Sequence, residues 1–129
     1  VIEEWRHAVG RVNRGVPAGG VEDDDADLAS TAHRELTEET GYEADRVEFL
    51  LSIEPSNGLA DSVHHYFAAY DCAPTGAQNL DFNETIRVAE TSLADLRAAV
   101  REGECRDGRT ALAVSYYEAF GTRGGERNP

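Results

Sequence analysis

Three carboxylates crowd into five positions of the stretch Arg34-Glu35-Leu36-Thr37-Glu38-Glu39-Thr40-Gly41-Tyr42, which a glycine closes. On a helix, Glu35 and Glu39 lie one turn apart on the same side. Glu38 stands four residues after Arg34, the spacing of a helical ion pair. At ~100° per residue, Leu28, Ala29, Ala32 and Leu36 form one apolar arc, with Glu39 inside it and Glu35 at its edge. A solvated acidic face would lie opposite that arc. An inward-turned carboxylate is costly unless something neutralises it, and Mg²⁺ does so with one or two carboxylates plus substrate phosphates. The spacing therefore points to a divalent-cation seat; the bland alternative is an acidic amphipathic helix laced with Arg–Glu pairs.

The elements that would hold these groups follow from local pattern. Residues 1–7 and 11–16 read as strands around a turn near Gly10. A Pro/Gly-rich, then acidic, loop over 17–27 leads to Asp27, an N-cap for a helix over 28–40, and Gly41 suits its left-handed C′ position. Residues 47–54 and 63–71 are predicted strands, joined through the turn chemistry of Pro55-Ser56-Asn57-Gly58. Then come a loop over 73–83, a short strand over 86–90, and a helix over 93–101 capped by Ser92, with Asp95 in its first turn. Residues 103–108 connect to a last helix over 110–120, with Leu112, Tyr116 and Phe120 on one stripe. Residues 1–121 make one domain of α/β (α+β) class, and 122–129 a flexible tail.

Composition narrows the partners. Twelve basic against 25 acidic residues give a formal charge of −13, which weighs against binding nucleic acid or an anionic membrane. Cys72 and Cys105 have no Cys or His companions at metal spacing, so two free thiols in a reducing cytoplasm are expected. No apolar run approaches a membrane-spanning helix, and no signal peptide is visible.

Arg34 to Gly41 resembles the second half of the Nudix hydrolase box, Arg-Glu-aliphatic-X-Glu-Glu-X-Gly-aliphatic, with Tyr42 in the last aliphatic place. Pro17-Ala18-Gly19-Gly20 is similar to the loop that opens the box. Counting back from Arg34, Gly20 takes the opening glycine and Ala26 the first glutamate position; starting from Gly19 requires one inserted residue and offers Asp25 instead. The resemblance implies a Nudix fold, a mixed sheet between helices, lacking N-terminal strands that relatives usually carry; the chain opens at Val1 and contains no methionine. It implies Mg²⁺ or Mn²⁺ on Glu35, Glu39, the Ala18 carbonyl and Glu38, the last serving either metal or water. Arg34 would orient these carboxylates rather than touch substrate.

Beyond the box the chain resembles the branch of ADP-ribose pyrophosphatases and nucleoside-diphosphate-sugar hydrolases. Arg6, in Glu4-Trp5-Arg6-His7, matches a phosphate-reaching arginine of that branch. Glu84, in Asp81-Phe82-Asn83-Glu84-Thr85-Ile86, matches its catalytic glutamate and is the candidate general base. Gly58 and Asp61 match its substrate-facing loop, although Asn57 stands where the branch typically has proline. The implied activity is cleavage of a nucleoside diphosphate linked to another moiety, by a cytoplasmic homodimer acting on a small nucleotide. The rivals are a sugar-nucleotide or nucleoside-triphosphate hydrolase, and a nucleotide-binding domain of weak catalysis. The acidic run Asp23, Asp24, Asp25 and Asp27 reads as a solvated loop, in which Asp25, through a bulged turn, or Asp27 could compensate for the missing box glutamate. His64 and His65 adjoin in a predicted strand, facing opposite sides, and read as structural, as does the Tyr116-Tyr117 pair.

Overall fold

The computed structural model describes residues 1–82 and 84–121, so the proposed tail over 122–129 lies outside the described residues. In chain order the elements are β1 (Ile2–Arg6), a 3₁₀ turn (His7–Val9), β2 (Arg11–Gly15), α1 (Leu28–Thr40), β3 (Tyr42–Glu43), β4 (Arg46–Ile53), β5 (His64–Tyr70), β6 (Ala73–Pro74), β7 (Ile86–Val88), α2 (Leu93–Arg101) and α3 (Gly108–Phe120). Among these residues the strands pair antiparallel throughout, in three small sheets ordered β2-β1-β7, β3-β6 and β4-β5. This is the α/β (α+β) class that the sequence predicts.

β1 alternates as a half-buried strand should. Ile2 and Glu4 are buried, while Trp5 is exposed opposite Val12 of β2. On its other edge β1 pairs with β7, Glu4 opposite Ile86, which brings a carboxylate beside the segment that follows Glu84. The long hairpin β4–β5 carries the aromatic pair Phe49–Phe67, with ring centroids 5.6 Å apart and edge to face. A bulge between Phe49 and Leu51 turns Leu50 into the core.

Helix α1 begins and ends as its sequence dictates. The Asp27 carboxylate accepts from the Ser30 N–H at 2.8 Å and from the Ser30 hydroxyl at the same distance. Gly41 takes a φ of 69°, and a Cβ there would meet the Gly76 carbonyl at 3.1 Å. The last carbonyls of α1, which have no intrahelical partner, are taken by the following loop. Thr75 N–H donates to Gly41 O, the Gln78 amide to Glu39 O at 2.6 Å and Asn79 N–H to Glu38 O at 2.9 Å. The chain leading to Glu84 is thereby anchored to the carboxylate-bearing end of α1.

Two expectations change. The predicted loop over 73–83 opens with strand β6, which pairs with an unforeseen β3, Tyr42 opposite Pro74. The last helix starts at Gly108 rather than Thr110, because Asp107 caps it. Helices α2 and α3 pack together, and Leu96 and Ala99 of α2 and Thr110 and Val114 of α3 are buried. The α1 cap gives a stability test: Asp27→Ala should lower the urea midpoint of unfolding. An unchanged midpoint would show that the Asp27–Ser30 bonds add nothing to the helix.

Candidate active site

The loop after β2 lies directly across the inner face of α1. The Ala18 N–H donates to Glu39 Oε2 at 2.9 Å. At Gly19 a Cβ would stand 1.9 Å from the Glu35 carboxyl carbon, so any side chain there would displace that carboxylate. Glu39 is 2% exposed, more buried than Leu28, Ala29, Ala32 or Leu36, the apolar residues of its own arc. The helix thus presents a carboxylate, not a leucine, at the deepest point of this face.

Arg34 ties the loop to the helix. Its Nε and Nη2 donate to Asp25 Oδ1 and Oδ2, both at 3.0 Å, and Nη2 donates also to Gly20 O at 2.7 Å. Its Nη1 donates to Glu35 at 3.0 Å and to Glu38 at 2.9 Å. These bonds occupy all five guanidinium donors, so Arg34 has none to spare for a substrate. Asp25 Oδ2 also accepts from Glu22 N–H at 2.9 Å and from the Thr31 hydroxyl at 2.8 Å. Arg34 beside it holds the Asp25 carboxyl far below the usual range, and Asp25 in turn keeps Arg34 charged. Asp25 is therefore no solvated loop acid, as the acidic run suggested: its side chain is 5% exposed and braces the turn, while Ala26 points outward.

The remaining carboxylates press on one another. Burial pushes the Glu39 carboxyl up to about 7 against the bond from Ala18, and the charges of Glu84, Glu35 and Glu4 push the same way. Glu35 is raised by burial, with Arg34 opposing and Glu38 and Glu84 adding repulsion. Glu84 caps its own turn, its Oε2 accepting from Asp81 N–H at 3.0 Å. Glu4 is buried on β1; Arg6 Nη2 lies 2.8 Å from its Oε2 but off the angle of a hydrogen bond, so the contact is an ion pair alone.

Acids from α1, β1 and the turn before β7 thus converge with oxygen donors only. Among the described residues no three His, Cys, Asp or Glu side chains close to metal-holding distance. Two carboxylates, completed by phosphates and water, are nonetheless a donor set Mg²⁺ uses. The residues present fit such an ion.

A cavity of about 590 Å³ opens beside Glu35, walled by the 17–21 loop, the apolar arc of α1, the β5 edge and Arg109 of α3. It runs along an edge of β5, which is why His64 and His65 both border it although they alternate in the strand. Neither Arg6 nor the exposed Gly58 and Asp61 line it. The residues that local reading missed are Asp25 as the Arg34 brace, Gly19 as the lid over Glu35, Glu4, and Arg109. The adjacent glycines of the loop were the one available signal, for Gly19.

Residues 2–109 match the family model described as NUDIX domain. The chain is 33% identical over 119 residues to the methanol dehydrogenase activator of Bacillus methanolicus, and 32% identical over 119 residues to the ADP-ribose pyrophosphatase of Bacillus subtilis. Each match covers 92% of this chain and 64% of the relative, so the chain spans less than two thirds of their length. A solved structure described as an ADP compounds hydrolase superposes with a TM-score of 0.80 at 21% identity, covering 92% of this chain and 63% of the other. That likeness establishes the fold. No described helix is long and apolar enough to cross a membrane.

The crowding at Glu39 has a sign. Because folding raises its pKa, the folded protein holds a proton that the unfolded chain has released between the ordinary carboxylate range and about pH 7. Stability without metal therefore falls as pH rises through that window and stays low above it. Glu39→Gln, which keeps an acceptor for Ala18, should flatten the slope and raise the melting temperature in chelator at pH 8 by on the order of 5 °C. At pH 5 it should change little. A variant as pH-sensitive as the parent would show that Glu39 is not the desolvated group.

Proposed function

The chain belongs to the NUDIX domain family, and from that premise we propose that it is a metal-dependent pyrophosphohydrolase. Its substrate would be a nucleoside diphosphate linked to another moiety, as in ADP-ribose, cleaved to a nucleoside monophosphate and a phosphorylated remainder. The observation that carries this reading is the pair Glu35 and Glu39 packed under the Ala18-Gly19 backbone, with Arg34 bonded to Glu35 and the Ala18 N–H bonded to Glu39. Glu35, Glu39 and the Ala18 carbonyl would hold Mg²⁺ or Mn²⁺, with Glu38 a further donor to metal or water. When bound, the ion would screen phosphate charge and acidify a water.

The other roles belong to the chain itself. Glu84, close enough to raise both box carboxylates, would take the proton of the attacking water. Arg34, with its donors filled, holds Glu35 and Glu38 in orientation. Arg6, on the hairpin carrying Glu4, would reach a substrate phosphate, and Gly58 and Asp61 would meet the substrate from their exposed loop. The formal charge of −13 favours a small nucleotide brought in with its cation over nucleic acid or a membrane surface. The reading includes a cytoplasmic setting and a homodimer. Asn57, in place of the branch's usual proline, makes a sugar nucleotide or nucleoside triphosphate the second reading.

Chromatography of products from ADP-ribose, sugar nucleotides and nucleoside triphosphates decides among these. Nucleoside monophosphate should appear with Mg²⁺ and vanish with chelator; nucleotide binding with no product would mean a binding domain instead. Glu39→Gln should cut turnover by about 10² or more, and a fully active variant would remove Glu39 from the ligand set. Glu84→Gln should lower kcat by about 10² to 10⁴ with KM nearly unchanged. A silent Glu84→Gln beside a severe Glu38→Gln would move the base to the helix.

A further inference from the structure

Val16 leads into the loop that covers Glu35 and Glu39, and helix α3 holds it. The Val16 N–H donates to Thr110 Oγ1 at 2.9 Å, across 94 residues of chain. That hydroxyl in turn donates to Asp107 Oδ2 at 2.6 Å. The same Asp107 oxygen caps α3 through Thr110 N–H at 3.3 Å, and its Oδ1 takes Arg109 Nε at 3.2 Å. Thr110 is fully buried. Its hydroxyl has one proton to give and lone pairs to receive, and here both roles are in use. A Cβ at Gly15 would lie 2.7 Å from both Asp107 Oδ2 and Thr110 Oγ1, so only glycine lets the end of β2 come this close.

Capping α3 needs Asp107 alone. The long-range bond to Val16 and the glycine that makes room for it do something more: they set the height at which β2 ends. Between Val16 and Ala18 stands one residue, Pro17, whose ring fixes φ. A shift at Val16 is therefore passed on to the Ala18 N–H on Glu39 and to Gly19 above Glu35.

We propose that Thr110 and Asp107 are positioning residues for the carboxylate site, holding the loop backbone in register over Glu35 and Glu39. The proposal rests on the reading of that site as a cation seat, but not on which substrate it serves. Neither side chain touches the reacting atoms; they act through Val16 and Pro17.

The test compares Thr110→Val, which keeps the shape and loses the hydroxyl, with Thr110→Ser, which keeps the hydroxyl. Amide hydrogen exchange at Ala18 and Mn²⁺ affinity by electron paramagnetic resonance are read beside the melting temperature. Thr110→Val should speed Ala18 exchange and weaken Mn²⁺ binding by about tenfold each, the scale of one hydrogen bond. Mid-helix amides of α1 should keep their protection, and Thr110→Ser should restore both readouts. Gly15→Ala, which wedges a methyl between Asp107 and Thr110, should reproduce the effect in a chain that retains both residues and stands in if Thr110→Val does not fold. Unchanged Ala18 exchange and Mn²⁺ affinity in these variants, even with a lower melting temperature, would reduce the network to a helix cap and overturn the proposal. If the parent binds Mn²⁺ but hydrolyses nothing, the reaction reading fails and the positioning role is still judged. If the parent binds no Mn²⁺, Ala18 exchange alone decides it.

Discussion

A carboxylate driven into the core beneath a loop of backbone is the constraint on which this structure turns. Glu39 occupies the phase of α1 where a leucine would stabilise the domain, and among the described residues the Ala18 N–H alone bonds its carboxylate in place of water. Removing a carboxylate from water is expensive, and three neighbouring acids add to the strain. Several residues follow from that arrangement. A side chain at Gly19 would push the Glu35 carboxyl out of the space it fills. The carbonyls at the end of α1 must be satisfied by 75–79, because that loop delivers Glu84 beside the same two acids.

The surroundings organise these charges without neutralising them. Arg6 pairs with Glu4, and Arg34 is shared among Asp25, Glu35, Glu38 and the Gly20 carbonyl, so its charge is spent on architecture. What remains is a group of oxygen donors facing one another with net negative charge. The metal-free protein bears that repulsion as lost stability, a cost common where function demands a desolvated group. A divalent cation seated there would relieve it, so the feature that weakens the fold would be the one that prepares the site.

Local pattern made much of this visible. Asp27, Gly41 and the arc of α1 were readable because caps and helical phase depend on residues a few positions apart. The inward direction of Glu39 came from the same arithmetic. Asp25 was not readable, since its burial depends on Arg34 and Thr31 meeting it in space, and an isolated loop aspartate gives no sign of such partners. The β3–β6 bridge is two residues long on each side, too short to carry an alternation. Thr110 was legible as the start of a helix, but its bond to Val16 belongs to the tertiary fold. The cavity along β5 was hidden for the same reason, because its walls come from a loop, two helices and a strand edge.

The central claim is that Glu35 and Glu39 form a cation seat whose like charges destabilise the protein until an ion arrives. The most direct measurement is the melting temperature at pH 8, titrated with Mg²⁺ and with Mn²⁺ from a chelated start. An ion that binds only the folded state must stabilise it progressively with concentration. The account predicts a rise of several degrees on the scale of ~2.7 kcal/mol at a hundredfold excess over the dissociation constant, absent in Glu39→Gln. A melting temperature indifferent to both cations, or a rise equally large in Glu39→Gln, would contradict it.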